Sequence, residues 1–303
     1  MKRVLLCGSN GLLGQRLALL FSSRADLEVL NTGRQRSFVF DHHLFDYTQL
    51  DLTHRGDVKS LVSSFQPDVV VNTVAAVDVD WCEENRDLAW QTNVATAEHL
   101  ADACRKVGAQ LIHYSTDYIF DGRQGPYDES ARPNPVNYYG KAKLAAENAL
   151  LSAGIRVAVM RVSLLFGTGT GVKGNFGLKT VRTLREGGIV RATNEMGTNP
   201  THIADAAAAG MAAAERNATG IFHVGGATYA TRYDFALTLA DTFRYDPSLV
   251  HLVAAADLRL PAARPRSTGF VLTKAEQELG YRPMNLREAC LRFRNELLHE
   301  SAN

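Results

Sequence analysis

A phenol and an ammonium stand four residues apart, Tyr139 and Lys143, at the start of a run of strong helix formers that reaches Leu150. On a helix that spacing puts both on one face. A free tyrosine titrates near ~10, and a neighbouring cation favours the phenolate and lowers that value. A phenol tuned in this way can give a proton to a carbonyl oxygen while a hydride arrives at the carbon. The same spacing also describes a solvated helix face with a half-buried ring, so the pair acquires meaning from its surroundings. A hydroxyl is available in Ser115-Thr116-Asp117-Tyr118, at the end of a strand predicted over 110–114. The Thr116 hydroxyl there could bond a substrate carbonyl and stabilise the charge that develops on it.

These groups need a scaffold, and the first half of the chain supplies its pattern. Residues 4–7 read as a buried strand and 13–21 as a helix, joined by Gly8-Ser9-Asn10-Gly11-Leu12-Leu13-Gly14. Glycines at a strand-to-helix turn let the backbone approach a ligand closely, and the helix N-terminus offers N–H groups to a pyrophosphate. The spacing is G-x-x-G-x-x-G rather than the commoner G-x-G-x-x-G. Gly8, Asn10, Gly11, Leu12 and Gly14 are therefore the expected dinucleotide turn. The second strand, 27–30, ends in Asn31-Thr32-Gly33-Arg34 with no acid for a ribose 2′-hydroxyl. Arg34, with Arg36 nearby, suits a 2′-phosphate, so NADPH is the expected cofactor, with NADH possible. Asp51 could reach the adenine, alongside Leu52, or only hold the start of a helix over 54–65 that Thr53 would cap. Val74 and Ala75 follow a β-branched strand over 67–72, where small residues let a cofactor lie close.

A long helix over 83–107 carries Asn93. The strand at 110–114, a helix over 139–151 and a strand over 156–161 follow. Strand and helix alternate, which predicts an α/β fold with a Rossmann-type doubly wound parallel sheet and right-handed crossovers. Ligands gather at the carboxyl ends of such strands. Beyond the loop Gly167-Thr168-Gly169-Thr170-Gly171, helices near 175–186, 202–216, 231–244 and 285–299 alternate with short strands near 189–191 and 221–224. This half reads as a smaller mixed α/β lobe. The expected division is a nicotinamide-cofactor domain over 1–165 and a substrate-binding lobe over 166–303, with the chain free to return to the sheet.

Composition narrows the setting. The 303 residues are 46% hydrophobic and 21% charged, with a net charge of +1. That reads as soluble and globular, with no nucleic-acid or membrane surface. Cys7, Cys82, Cys104 and Cys290 are scattered without metal-site spacing, as expected of reduced thiols in the cytoplasm. No ligand cluster suggests a metal. No apolar run reaches the length of a membrane span, and the one at the start is too short for a signal peptide.

Five ordered segments carry a resemblance. They are Gly8-x-x-Gly11-x-x-Gly14, the stretch from Ser115-Thr116-Asp117-Tyr118 to Asp121-Gly122, Asn137-Tyr138-Tyr139-Gly140-Lys141-Ala142-Lys143, Pro200-Thr201 with Asp205, and Arg264-Pro265-Arg266. Over nearly its whole length the chain resembles extended short-chain dehydrogenase/reductases of the dTDP-4-dehydrorhamnose reductase branch. The resemblance implies hydride delivery from NADPH to C4 of a 4-keto nucleotide sugar. It makes Tyr139 the proton donor and puts Thr116 on the substrate carbonyl. Lys143 would hold the nicotinamide ribose and lower the pKa of Tyr139. It also implies that Asp117, Tyr118, Asn175 and Arg264 face the substrate, the last two near its diphosphate. Asn93 would be structural, with a water-relay option, and a homodimer is possible.

Departures fall on the sugar side. Leu164 stands where the branch carries a Trp that packs the sugar, Asn194-Glu195 replace Asp-Gln, and Val77 replaces a common Thr. So the chemistry transfers better than the substrate identity. Other roles share the fold. Dehydratases follow the Thr with two acids, whereas here Asp117 is followed by Tyr118. A 4-epimerase uses the same Thr, Tyr and Lys. The β subunit of methionine adenosyltransferase, an NADP(H)-binding regulatory protein, resembles this branch as well.

Overall fold

The computed structural model describes residues 1–41, 43–172 and 174–300. Val4, Leu5, Leu6 and Cys7 are fully buried, because β1 (Lys2–Cys7) runs through the middle of a parallel sheet covered on both faces. The elements of the first half are β1, α1 (Leu12–Ser22), β2 (Leu27–Gly33), β3 (Asp46–Gln49), α2 (Arg55–Phe65) and β4 (Val69–Asn72). Then come α3 (Val79–Glu84), α4 (Arg86–Trp90), α5 (Thr96–Val107), β5 (Gln110–Thr116), α6 (Tyr138–Leu151) and β6 (Val157–Val162). The second half adds β7 (Leu165–Phe166), α7 (Phe176–Arg185), β8 (Val190–Ala192), β9 (Gly197–Thr198), β10 (Thr201–His202) and α8 (Ile203–Glu215). It ends with β11 (Gly220–Val224), β12 (Ala230–Thr231), α9 (Arg232–Phe243), β13 (Val250–Leu252), α10 (Thr273–Leu279) and α11 (Leu286–Glu300).

The main sheet has the order β11-β6-β5-β4-β1-β2-β3, parallel throughout. Its order reverses between β1 and β4, and the carboxyl ends there form the crevice in which such sheets bind ligands. Leu13, Leu17 and Phe21 of α1 pack with Ala206, Ala209 and Ala213 of α8 on one face. Val58 and Val62 of α2, Leu100 of α5 and Leu150 of α6 cover the other. The chain does return to the sheet: β11 pairs with β6, Ile221 opposite Val159. A separate core around Phe166, Phe235 and Phe293 fills the rest of the second half.

Three local expectations are corrected. The helix over 83–107 is broken: it begins at Val79, capped by Asp78, and passes through a π turn at Gln91–Ala95. Asn93 sits in that turn, where its side chain takes the N–H of Ala76 at 2.8 Å and donates to its carbonyl at 3.1 Å. An extra residue per turn is how a π turn re-aims a side chain. Thr53 does not cap α2. The cap is His54, and the Thr53 hydroxyl instead donates to Asp51 at 2.8 Å. Finally, β5 runs two residues further than expected, so that Thr116 is its last residue. Two-residue strands such as β9 and β12 carry no periodicity to read, and α10 is only seven residues long.

Candidate active site

The cleft at the switch point is built from strand ends. Gly8, Asn10, Gly11, Arg34, Asp51, Leu52, Val74 and Ala75 all line it, while Leu12 and Gly14 lie outside its lining. Helix α1 starts just after Gly11, and among the described residues no side chain caps it and no acid stands in its first turn. Its first N–H groups and positive end therefore face the cleft unneutralised, which suits a pyrophosphate. A Cβ at Gly14 would lie 2.1 Å from the carbonyl oxygen of Gly8, so only glycine lets the helix pack this closely under the turn. These features fit a dinucleotide on the observed backbone. The Asn10 side chain also holds the protein itself: its amide donates to Ser37 O at 3.0 Å and accepts from Val39 N at 3.1 Å. Its side chain clamps the loop beyond Arg34. Thr32, Thr73, Thr92 and Thr96 also line the cleft; single threonines carried no spacing signal.

One strand over, α6 is set against the end of β5. Asn137 caps it, accepting from Gly140 N at 2.8 Å, and Glu83 accepts from Tyr138 N at 2.9 Å. A Cβ on Gly140 would lie 2.2 Å from the carbonyl oxygen of Tyr118, so the glycine after Tyr139 brings the helix flush with the strand end. The Tyr139 ring, 9% exposed, meets the ring of Tyr118 edge-on at 6.0 Å. The Thr116 hydroxyl stands near the Tyr139 phenol and eases its ionisation.

Lys143 is fully buried. It donates to Tyr114 O at 2.7 Å and lies 3.0 Å from His113 Nε2. Burial pulls its pKa down to about 8, with Glu147 opposing. His113, which the sequence did not single out, is held well below its ordinary pKa by burial and then by Lys143. Its Nδ1 lies 3.1 Å from Asn72 Nδ2, and Asn72 Oδ1 accepts from Val74 N at 3.0 Å. A buried chain thus joins Lys143 to the cofactor cleft. The expectation that Lys143 lowers the pKa of Tyr139 is not met here. Burial pushes the Tyr139 phenol up, its bond to Thr116 pulling the other way, because the Lys143 side chain is bonded to Tyr114 and His113.

Three expected substrate residues are engaged with the protein. Asp117 is buried, its Oδ2 accepting from Thr198 at 3.0 Å and from Thr268 at 2.5 Å. Asn175 caps α7 through Leu178 N and donates to Gly167 O at 2.9 Å. Arg264 makes a two-pronged ion pair with Asp80, both bonds 2.9 Å. Of the departures, Val77 is exposed, and Glu195 accepts from Ala255 N at 2.9 Å. Leu164 sits at φ +37°, a left-handed conformation that is rare and strained for a Leu.

The family model described as the RmlD substrate binding domain matches residues 1–299. The chain belongs to the RmlD substrate binding domain family. Within its reach, the dTDP-4-dehydrorhamnose reductase of Aggregatibacter actinomycetemcomitans is 30% identical, covering 97% of this chain and 99% of that protein. The methionine adenosyltransferase 2 subunit beta of Rattus norvegicus is also 30% identical, covering 91% and 82%. A dTDP-4-dehydrorhamnose reductase of Bacillus anthracis, solved in complex with NADP, superposes with a TM-score of 0.83 at 26% identity over 98% of this chain and all of that one. The doubly wound sheet is thus the RmlD-family fold, and residues 1–299 form one continuous match across the expected boundary at 165.

Proposed function

We propose that this RmlD-family chain is an NADPH-dependent oxidoreductase that reduces the C4 carbonyl of a 4-keto sugar nucleotide. The observation that carries the reading is the hydroxyl pair Thr116–Tyr139 at the carboxyl end of β5, one strand from a cleft built for a dinucleotide. When bound, the reduced nicotinamide supplies a hydride. Gly8, Gly11 and the N-terminus of α1 would hold its pyrophosphate, and Arg34 its 2′-phosphate. Tyr139 holds the proton that the nascent alkoxide needs, and Thr116 stands beside it as the second group able to bond that oxygen. Lys143 has three donors; Tyr114 O and His113 engage two, which leaves one for a ribose hydroxyl. The buried walls around Tyr139 exclude water from the proton it transfers.

The sugar-side differences at Leu164, Asn194 and Val77 leave the sugar itself open among 4-keto nucleotides. Dehydration is disfavoured because Tyr118 stands where a second acid would be needed. The test is loss of reduced-nicotinamide absorbance with dTDP-4-keto-6-deoxy-L-mannose. Turnover supports the reading. Tight NADPH binding with no turnover on any 4-keto sugar nucleotide overturns it in favour of a binding subunit like the rat β subunit. Cofactor choice is tested separately. Arg34 is exposed at the end of β2 on the cleft wall, and a charge-assisted bond contributes roughly 1.5–3 kcal/mol. Arg34→Ala is expected to weaken NADPH about tenfold or more and to leave NADH nearly unchanged, as read by fluorescence titration. Equal loss for both cofactors would return Arg34 to an ordinary surface charge.

A further inference from the structure

Two carboxylates of the short helix α3, Asp80 and Glu83, have no part in the chemistry described so far. Three residues apart, they are neighbours on one helical turn. Glu83 reaches toward α6. Its Oε2 accepts from Tyr138 N, the first N–H of that helix, at 2.9 Å. Its Oε1 accepts from Arg86 at 2.5 Å, and the Arg86 guanidinium lies over the Tyr138 ring at 5.3 Å. Asp80 reaches into the second half of the chain. Its Oδ1 accepts from Ala262 N and Arg264 Nη1, and its Oδ2 from Arg264 Nη2, each at 2.9 Å.

The two arms meet at Asn137. Its Oδ1 caps α6 through Gly140 N at 2.8 Å, and its Nδ2 donates to Ala263 O at 2.8 Å. Ala263 lies between the two residues that Asp80 holds. The bonds therefore close a ring from Asp80 through residues 262–264, Asn137, the first turn of α6 and Glu83 back to α3. Tyr139 sits in that turn, between Tyr138 and Gly140, and its ring packs on Cys82 of α3. The first N–H groups of a helix have no partner within it. Here the cap takes one and a carboxylate another, and a negative charge suits the positive end of the helix. The bond from Tyr138 N, and then Arg86, hold the Glu83 carboxyl below its ordinary pKa, so it stays an ionised acceptor at neutral pH.

We propose that α3 is the bracket that positions the proton donor: Glu83 fixes the start of α6 directly, and Asp80 fixes its cap through Arg264, Ala263 and Asn137. The proposal rests on the reductase reading above and deepens it, because it concerns where the Tyr139 phenol stands when hydride arrives. Asp80, Glu83 and Arg264 are positioning residues in this frame. It also gives Arg264 a place in the protein apart from any contact with a diphosphate.

A displacement of about 1 Å at a reacting group can cost a hundredfold in rate. Glu83→Ala leaves α6 tethered by Asn137 alone and is expected to lower kcat about tenfold, with the KM of the sugar nucleotide and NADPH affinity within about twofold. Glu83→Gln keeps an oxygen for Tyr138 N and should recover most of that loss. Asp80→Ala should likewise lower kcat severalfold. If kcat holds and only KM changes in Asp80→Ala, Arg264 serves substrate binding alone and the Asp80 arm is overturned. The two alanine variants combined should lose less than the product of the single losses, because both open the same ring. Losses that multiply in full overturn the ring.

Amide hydrogen exchange, followed by NMR, tests the bracket without turnover. Exchange at Tyr138 and Gly140 is expected to quicken in Glu83→Ala and at Gly140 in Asp80→Ala, while the amides of β5 keep their protection. Unchanged exchange in both variants overturns the proposal, as does faster exchange with kcat intact. If exchange quickens as expected but no 4-keto sugar nucleotide is reduced by the wild type, it is the reductase reading that fails.

Discussion

Tyr139→Phe is expected to lower kcat by about 10²–10⁴-fold, the range of a positioned acid, and to leave NADPH affinity within about twofold. The substitution removes one oxygen from a ring packed against Cys82 and Ala89, so the ring itself keeps its contacts. What is lost is the proton. Stopped-flow loss of reduced-nicotinamide absorbance separates hydride transfer from binding, and a titration of cofactor fluorescence checks that the cleft is intact. Unchanged turnover would remove Tyr139 from the reaction. Equal loss of turnover and of NADPH affinity would assign it to the cofactor instead.

The second large effect concerns the fold behind the site. Glu147 of α6 and Arg161 of β6 form a fully buried ion pair, with bonds of 2.7, 3.1 and 3.2 Å, and Ser115 donates to the same carboxylate at 2.5 Å. Arg161 also lies 3.3 Å from His223 Nε2. Burial and then Arg161 pull the His223 pKa down to about 3, so the ring is neutral and accepts. Removing one partner of such a pair strands the other charge in the core at a cost of about 3–5 kcal/mol. Glu147→Ala is expected to lower the unfolding free energy by that much, read as a lower denaturant midpoint. The pair Glu147→Leu with Arg161→Met should recover most of it, because apolar side chains of similar volume need no compensation. An unchanged midpoint in Glu147→Ala would show that solvent reaches Arg161. Helix α6, which carries Tyr139, is fixed to β5 and β6 by this pair, so the single variant should also blunt turnover before it unfolds the chain.

What could be read in the sequence follows from the range of the forces. The strands β1, β2, β4, β5 and β6 announced themselves as apolar or β-branched runs, and the glycine turn by its place between strand and helix. Tyr139, Lys143 and Thr116 were legible because their spacing and strand-end position are local facts. The protein places Thr116 near Tyr139, and eight of the expected cofactor residues in one cleft. The residues that tune the site were not legible. His113 reads as one more strand residue. Thr198 and Thr268 reach Asp117 across 81 and 151 positions of chain. Asn175 and Arg264 matched by motif, yet their side chains are spent on Gly167 and Asp80. A pattern gives a residue's type and place but not which neighbour has already taken its hydrogen bonds. The π turn at Asn93 escaped for a related reason: its geometry answers to Ala76, a residue seventeen positions away.

The return of β11 to the sheet bears on how the molecule can be cut and rejoined. A fragment ending at residue 165 would leave β6 as a bare edge, with the row of unpaired backbone groups that invites pairing between molecules. It would also strip α8 from α1, uncovering the Leu13, Leu17 and Phe21 side of the core. A cofactor module lifted from this chain for fusion to another protein must therefore carry the segment from Ile203 through Val224 with it. Exchange of sugar-recognition segments between relatives is better done by replacing loops in place than by joining halves.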